Sequence, residues 1–379
     1  MISRINIFYL ITLLCAAVLA YFYPPLKAPP AFAQNEYLLP DIKAGKAPVF
    51  KAEFLNPEGQ PPSVHAGSLT RLANGDLLAA WFGGSREGAA DVAIYTARFD
   101  SGEKEWSVPV AVTDRQRSSR ELGRYVRKLG NPVIYTDQQG RAWLYYVTVS
   151  LGGWAGSSIS VKVSDNGGRR WSRATRLVTS PFLNVSTLVK GSPIALEDKQ
   201  TLLPVYHEFA NKFGEALHLD NKGKLIATYR MSQSPQAIQP WIVPDSASRA
   251  RAFYRRAGDA PPRVLTNQSL VSGNRWNRLE ATDAPNPGAS VAVIRAFDGS
   301  YLMAYNPLEG NRNQLALARS EDGLRWTKIR DLENGGAGDE YSYPYLIRGR
   351  AGRYHLIYTW QRKRMRHVVF NQAWLEAQS

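Results

Sequence analysis

Carboxylates, arginines and tyrosines recur at the ends of short apolar segments in this chain of 379 residues. Glu87 and Glu208 each follow such a segment, as do Arg255 and Arg312. A pair of carboxylates can act as general acid and general base. Arginines that lack a neighbouring acid can bind an anion through paired hydrogen bonds. These residue types predict acid–base chemistry on an anionic substrate, if the fold brings them together.

The elements that must position these residues form a repeat. A turn followed by an apolar strand with an aromatic end occurs six times, beginning at Asn74, Gln139, Lys199, Ser248, Asp298 and Ala351. Another short strand precedes each copy. Six strand-only units predict an all-β fold, a six-bladed β-propeller with antiparallel four-stranded blades. A β-sandwich is the alternative but leaves the six-fold period unexplained, and no amphipathic helix of useful length supports an α/β fold.

Four Gly-containing turns that end in tryptophan support the same repeat. The clearest is "SDNGGRRWS", which contains Trp171, and related turns contain Trp106, Trp276 and Trp326. The turn "LDNKGKL", from Leu219 to Leu225, lies where a fifth tryptophan is missing. Polar side chains in such turns bind their own backbone. We expect these tryptophans on the outer parts of the blades, with their rings largely buried.

The propeller geometry selects the residues that converge on one end of the channel. The first strand of a blade starts at this end and the second strand returns to it. The predicted strand-start residues are His65, Asn131, Ser192, Gln239, Asn286 and Tyr343. The predicted strand-end residues are Arg86, Glu87, Trp154, His207, Glu208, Arg255, Arg256, Arg312 and the run from Trp360 to Arg362. Both sets are rich in titratable and amide groups, which predicts a polar site.

The N-terminal segment predicts export. Residues 7–23 carry no charge, follow Arg4 and precede a Pro-rich stretch in which Ala31-Phe32-Ala33 matches a signal-cleavage motif. A signal peptide over residues 1–33 would leave a propeller over 34–379. An uncleaved membrane anchor is the alternative, because the apolar run is at the lower limit for a span and lies far from the motif. The location is then periplasmic, extracellular or anchored to the membrane.

Charge and composition restrict the partners. The formal net charge is +15, and residues 1–33 contribute only Arg4 and Lys27 to it, so the exported part carries about +13. Anionic glycans or lipid headgroups suit such a surface, whereas no recognition motif predicts nucleic acid. The only cysteine, Cys15, lies in the apolar segment. The five histidines do not cluster as ligands, so we expect no metal, no cofactor and a monomer.

The tryptophan turns resemble the Asp-box of sialidases (neuraminidases), and six blades match the sialidase fold. The stretches "HAGSLTRLANGDLLAAWFGGSREG" and "TLLPVYHE" look like the bacterial predicted-neuraminidase branch of that superfamily, as do "EYSYPYLI" and "HLIYTWQRKRMRHVVF". The resemblance covers about residues 49–370. It implies an exo-glycosidase that removes a terminal acidic sugar, sialic acid or a relative, from glycans.

The resemblance also implies roles for individual residues. Sialidases hold the substrate carboxylate with three arginines and use a tyrosine nucleophile, a partner glutamate and an aspartate as acid/base. Arg255 and Arg312 match two of the arginines. Tyr341 resembles the nucleophile, with Tyr343 close by, and Glu87 lies near the acid/base position. The remaining candidate substrate contacts are His65, Arg86, Asp91, Asn131, His207, Gln239 and Asn286.

Two positions depart from the sialidase pattern. His65 stands where the first arginine is expected, and Gln239 stands where the partner glutamate is expected. Glutamine cannot take a proton from tyrosine, so Glu208 is the candidate for the missing carboxylate. Structural roles remain open: Glu87 could pair with Arg86 or Arg71, and one of the two tyrosines could be a packing residue. A non-catalytic glycan-binding or surface-assembly propeller is the alternative function.

Overall fold

The computed structural model describes residues 9, 12–13, 28–33, 47–180, 184–209, 211–232 and 236–377. Most of the apolar segment 7–23 lies outside these residues, as does the start of the propeller expected from residue 34. Within the described part, no helix is long and apolar enough to cross a membrane.

The described strands form six antiparallel sheets, as the six-fold repeat predicted. Each sheet is one blade, and its strands follow one another from the channel outwards. The first blade contains β2 (Ser63–Arg71), β3 (Leu77–Gly84), β4 (Ala93–Asp100), β5 (Glu105–Trp106) and β6 (Val110–Asp114). The second contains β7 (Lys128–Thr136), β8 (Ala142–Val149), β9 (Ser157–Ser164) and β10 (Thr175–Arg176). The third contains β11 (Leu188–Val189), β12 (Ile194–Ala195), β13 (Thr201–His207), β14 (Phe213–Leu219) and β15 (Leu225–Arg230).

The last three blades follow the same plan, and the sixth also takes a strand from the N-terminal side. The fourth blade contains β16 (Ala237–Pro244), β17 (Ala250–Arg256), β18 (Arg263–Ser269) and β19 (Glu280–Pro285). The fifth contains β20 (Ala292–Arg295), β21 (Tyr301–Tyr305), β22 (Gln314–Ser320) and β23 (Thr327–Asn334). The sixth contains β24 (Tyr341–Arg348), β25 (Arg353–Trp360), β26 (Arg364–Asn371) and β1 (Phe50–Phe54). Short helices are α1 (Arg115–Leu122) and α2 (Gln372–Glu376), with 3₁₀ turns at Trp154–Gly156 and Glu197–Lys199.

The ring closes through β1. This strand pairs antiparallel with β26, with Phe50 opposite Phe370 and Phe54 opposite Arg366. The outer edge of the sixth blade is therefore covered by the chain's own N-terminal side, which leaves fewer unpaired backbone groups open to pairing with another chain.

The inner strands of four blades share a bulge. The strand register shifts across Ala66-Gly67, Asn131-Pro132, Gln239-Pro240 and Tyr343-Pro344. The first residue of each pair has a positive φ of 41–54°. The sequence had suggested that Asn131, Gln239 and Tyr343 start their strands. Instead, these residues and the prolines that follow them lie inside the strands, at the bulges. Proline fits a sheet at a bulge because it has no N–H to donate. We call the channel end near these residues the bulge end.

The turns between the third and fourth strands lie at the opposite end of the blades, which we call the turn end. Four of them carry a glycine with positive φ that packs on the second residue of the second strand of the preceding blade. A Cβ at these positions would lie 2.5–2.6 Å from that neighbour; the pairs are Gly168–Leu78, Gly223–Trp143, Gly273–Leu202 and Gly323–Arg251. The turns therefore link adjacent blades, including the turn that has lost its tryptophan.

The four tryptophans lie in the outer parts of their blades, as expected. Trp106, Trp171, Trp276 and Trp326 pack against the core clusters and keep part of their surface exposed. Trp276 Nε1 donates to Gly273 O at 2.8 Å, so the ring also fixes its own turn.

Candidate active site

A chain of hydrogen bonds links the second, third, fourth and sixth blades at the bulge end. Gln239 Nε2 donates to the hydroxyl of Tyr343 at 3.2 Å and to the hydroxyl of Tyr206 at 3.3 Å. Asn131 Nδ2 donates to the Tyr206 hydroxyl at 3.0 Å. Asn131, Gln239 and Tyr343 all occupy the first bulge position of their strands. The left-handed backbone at these bulges thus brings the three side chains together.

His65 packs against this network. Its ring centroid lies 4.3 Å from that of Tyr343 and 5.7 Å from that of Phe82. The side chain is buried, and Nδ1 has no hydrogen-bond partner among the described residues. Burial, and then the positive charge of Arg362, hold the pKa of His65 well below its usual range. The bulge residue of this blade is Ala66, so His65 lies one residue before the position that we had aligned with Asn131 and Gln239.

A buried lysine lies behind Tyr343. Lys190 follows β11 in the interrupted inner strand of the third blade, and its Nζ donates to Pro344 O at 3.2 Å. The ammonium lies 5.6 Å from the Tyr343 ring centroid and 4.9 Å from that of Tyr345. No carboxylate of the described residues pairs with it, and burial lowers the pKa of Lys190 to about 7.

Arg255 and Arg312 lie in the same electrostatic cluster. The Nε of Arg255 is buried and has no hydrogen-bond partner in the described part of the chain. Arg312 donates from Nη2 to Gly288 O at 2.8 Å and lies 3.5 Å from Glu340. Burial, and then the positive charge of Arg255, lower the pKa of Arg312. Because the positive charge of Arg255 disfavours the charged form of Arg312, an anion bound beside the two guanidinium groups would be stabilised.

A third arginine comes from the sixth blade. Arg362 binds both oxygens of Glu340, from Nε at 2.7 Å and from Nη2 at 3.2 Å, and its Nη1 binds Glu87 at 2.8 Å. Burial alone would lower the pKa of Arg362, but Glu340 and Glu87 outweigh it and raise the pKa. For Glu340 the effects have the opposite sign: burial would raise the pKa, but the hydrogen bonds from Arg362 and Ser342 hold the pKa of Glu340 at about 2. Glu87 thus pairs with Arg362, and neither Arg86 nor Arg71 forms this salt bridge.

Glu208 and the neighbouring His207 have different surroundings. His207 Nε2 contacts Glu215 at 2.7 Å, and its ring stacks on Phe213. The Glu208 backbone N–H donates to Ser186 Oγ, while its carboxylate forms no salt bridge with a described residue. Burial raises the pKa of Glu208, against the opposing charges of Arg255 and Lys212 and together with the like charge of Glu87. Glu208 therefore keeps a larger protonated fraction than an ordinary glutamate.

Several sequence-predicted residues lie outside this network. Tyr341 is buried in the main core, and its ring lies 6.5 Å from that of Trp360. Asn286 is satisfied within its own turn by Gly288 N, Ala289 N and Ala289 O. Asp91 accepts from the Ser85 hydroxyl, which lowers its pKa, and Arg86 is exposed beside this loop.

Reasoning from the sequence missed Tyr206, Lys190 and Glu340. Tyr206 lies inside the stretch that gave His207 and Glu208, but its apolar strand context made it look like a core residue. Lys190 precedes Gly191 in an interrupted strand with no alternation to indicate its direction. Glu340 directly precedes the tyrosine motif, which was a signal that could have found it. Arg362 was among the strand-end residues but not among the predicted substrate contacts.

Together these groups form an electropositive site. Arg255, Arg312, Arg362 and Lys190 supply four cations, against the carboxyl groups of Glu87, Glu208 and Glu340. Among the described residues, no group of three or more His, Cys, Asp or Glu side chains could hold a metal ion. The site combines anion-binding guanidinium groups, a hydrogen-bonded tyrosine and a carboxyl group with a raised pKa.

Comparison with known proteins agrees with this fold. Residues 75–356 match the BNR repeat-like domain family. A Hadza microbial sialidase, Hz136, superposes with a TM-score of 0.70 at 13% identity, covering 84% of this chain and 68% of that one. The intramolecular trans-sialidase from Ruminococcus gnavus gives 0.67 at 13% identity, covering 92% and 99%. A NanB sialidase variant from Streptococcus pneumoniae gives 0.66 at 12% identity, covering 84% and 70%.

None of the curated protein sequences compared with the chain matches it. The family match covers well over half of the chain and spans the second strand of the first blade to the second strand of the sixth. The chain therefore belongs to the BNR repeat-like domain family, and its six-bladed propeller is the fold of the sialidases.

Proposed function

We propose that this protein hydrolyses the glycosidic bond of a terminal acidic sugar, with sialic acid or a related nonulosonic acid as the leading substrate class. The observation that carries the proposal is Arg255, whose buried Nε has no partner among the described residues, in the same charge cluster as Arg312, Tyr343 and Glu208. An anionic substrate group would satisfy it. Arg312 and Arg362 complete the set of three arginines, and Arg362 stands in for the arginine that His65 replaces.

Tyr343 is the proposed nucleophile. A neutral hydroxyl is not repelled by an anionic sugar, unlike the carboxylate of most retaining glycosidases. Its oxygen already accepts from Gln239, and a hydrogen bond of this kind favours the charged form of an acceptor. Lys190 adds a positive field on the ring face. Gln239 and Lys190 thus stabilise the negative charge that develops on Tyr343, and they take the place of the glutamate that is absent at position 239.

The two glutamates exchange the roles that the sialidase resemblance implied, because burial raises the pKa of Glu208, which suits it as the acid, whereas Arg362 pairs with the Glu87 carboxylate. Glu208, in its protonated form, donates to the glycosidic oxygen as the bond to the anomeric carbon breaks. Tyr343 Oη bonds to that carbon, and its proton passes to Glu87. A water molecule then attacks the anomeric carbon while Glu208 takes a water proton, and Tyr343 leaves and regains its proton from Glu87. Each proton that leaves a residue thus returns to it.

The test is turnover on sialosides and on a panel of other acidic glycosides. We expect product from at least one acidic glycoside, and loss of about 10²–10⁴-fold in kcat for Glu208→Gln with binding retained. Glu103→Gln, in an exposed turn, is the matched control and should leave turnover unchanged. Binding of acidic glycans without product, at high protein concentration, would favour the non-catalytic propeller, a reading that Gln239 supports.

A further inference from the structure

The stretch Ala31-Phe32-Ala33 packs on the propeller. Phe32 forms a β-bridge with Leu196, and its N–H donates to Ala247 O at 2.7 Å. Ala33 N donates to Ala195 O at 3.0 Å, and Glu197 N donates to Ala31 O at 2.9 Å. Three backbone hydrogen bonds therefore hold these residues between the third and fourth blades.

The Phe32 side chain belongs to the hydrophobic core. It is 7% exposed and packs in one cluster with Leu196 and Leu202. Its ring also lies close to Gly273, the turn glycine that links the third and fourth blades. Phe32 further lines a cavity of about 530 Å³ at this end of the channel, with Val243, Val293 and Ile347. Removal of Phe32 would enlarge this cavity and expose apolar surface.

The contacts lie at the turn end, opposite the candidate active site. Leu196 and Ala247 belong to the hairpin connections that follow the inner strands of the third and fourth blades. Gln239 and Arg255 lie at the other end of the fourth-blade hairpin, where the register pairs Ile238 with Arg255. The channel therefore has the docked segment at one end and the site at the other.

We propose that Ala31-Phe32-Ala33 is a docking segment that the folded protein retains, and that the apolar run 7–23 remains attached as a membrane anchor. A core residue is an element of the mature fold, whereas signal cleavage at the Ala31-Phe32-Ala33 motif, the cleavage site that the sequence predicts, would remove Phe32. The five residue steps from Tyr23 to Ala28 reach at most about 18 Å. The turn end must then face the lipid surface, and the active site faces away from it.

The single cysteine gives a direct test. Cys15 lies inside the apolar run, so a chain that keeps this run has one thiol and a processed chain has none. We expect one thiol per chain in the denatured full-length protein expressed with export, recovered in the membrane fraction, and none in Cys15→Ser. An intact mass that places the mature N-terminus anywhere after residue 23 would overturn the proposal.

The orientation is tested on the anchored protein in lipid vesicles. Single fluorophores on Ser248→Cys, at the turn end, and on Gly310→Cys, on a loop at the bulge end, are compared in a Cys15→Ser background. We expect a quencher attached to lipid headgroups to act several-fold more strongly on the label at position 248. Equal quenching, or stronger quenching at position 310, would overturn the orientation.

The docking itself is tested by stability. Phe32→Asp should lower the melting temperature, whereas Val108→Asp, at a side chain that is 81% exposed, should not. If Phe32→Asp melts like the wild type, the segment is not part of the fold. None of these outcomes depends on turnover, so the proposal can fail while the glycosidase proposal stands, and the reverse.

Discussion

The two ends of the propeller use the same repeat in different ways. At the turn end, four glycines with positive φ pack on the equivalent residue of the preceding blade, at nearly the same distance each time. At the bulge end, four inner strands share a left-handed residue at one position, but the side chains there are Ala66, Asn131, Gln239 and Tyr343. The turn end therefore repeats both the backbone conformation and the contact between blades, whereas the bulge end repeats only the backbone conformation.

This difference separates stability from function. A turn glycine has no side chain to vary, and its neighbour leaves no room for one. At the bulge positions, Asn131, Gln239 and Tyr343 share one hydrogen-bond network with Tyr206, while Ala66 belongs to a hydrophobic cluster against which Tyr343 also packs. The ring can therefore place an amide, a phenol or a methyl group at equivalent points without altering the sheets. We expect substitutions at the turn end to change folding and substitutions at the bulge end to change chemistry.

The largest expected effect is on folding. Gly323→Ala places a Cβ 2.5 Å from Arg251 Cδ at a φ of 73°. A left-handed non-glycine residue costs about 1–2 kcal/mol, and overpacking adds about 1–3 kcal/mol. The free energy of unfolding should fall by about 3 kcal/mol in denaturant titration, with activity retained below the transition. Gly310→Ala, where no atom lies within 4 Å, is the control. Equal stability of both variants would remove the inter-blade role of the turn.

The next effect is on substrate binding. Arg255→Lys keeps the charge but loses the planar pair of donors. We expect KM for an acidic sugar to rise about 10–100-fold, because a charge-assisted hydrogen bond contributes about 1.5–3 kcal/mol. Arg256→Lys is the matched control on the same strand, since Arg256 binds Ala260 O and not the site. A rise in KM for Arg256→Lys alone would exchange the roles of the two arginines.

The sequence could predict the turn end well and the bulge end only in outline. The six-fold period and the Gly-containing turns follow from residue types at fixed spacing, which local backbone chemistry determines. The site depends on side chains from different blades, so Tyr206 and Glu340 acquire their surroundings only through tertiary packing. Each bulge shifts the strand register by one residue, and the sequence does not show where this shift occurs. For this reason His65, and not Ala66, was aligned from the sequence with the bulge residues of the other blades. Lys190 could not be predicted, because a buried lysine without a counter-ion contradicts its residue type.

Lys190→Met should separate stability from chemistry at a single residue. Replacing a buried, unpaired charge with an apolar side chain of similar length should raise the melting temperature. We expect kcat to fall about tenfold, because the cation behind the Tyr343 ring is lost. The pKa of Lys190 is lowered to about 7, so its charge disappears as the pH rises through 7, and the wild-type kcat should fall there. The variant should lack this step in its pH profile. A step of the same size in both proteins would assign it to another group.

The smallest effect is expected from two carboxylates that compare the two ends under acid. The pKa is about 2 for Glu340 at the bulge end, and also for Asp76 at the turn end, where Arg98 pairs with it. A folded-state pKa below the unfolded value gives stability that is present above about pH 4.5 and is lost as the pH falls toward 2. Glu340→Gln should be less stable than the wild type at pH 6 by under about 1 kcal/mol, because the Glu340–Arg362 pair is partly exposed. Asp76→Asn should also be less stable at pH 6, because Asp76 is buried and pairs with Arg98. Each should approach the wild type in stability at pH 2–3.

At neutral pH, Glu340→Gln should also weaken turnover, because it releases Arg362, while Asp76→Asn should not. If Asp76→Asn lowers kcat as much as Glu340→Gln does, the two ends are not functionally separate.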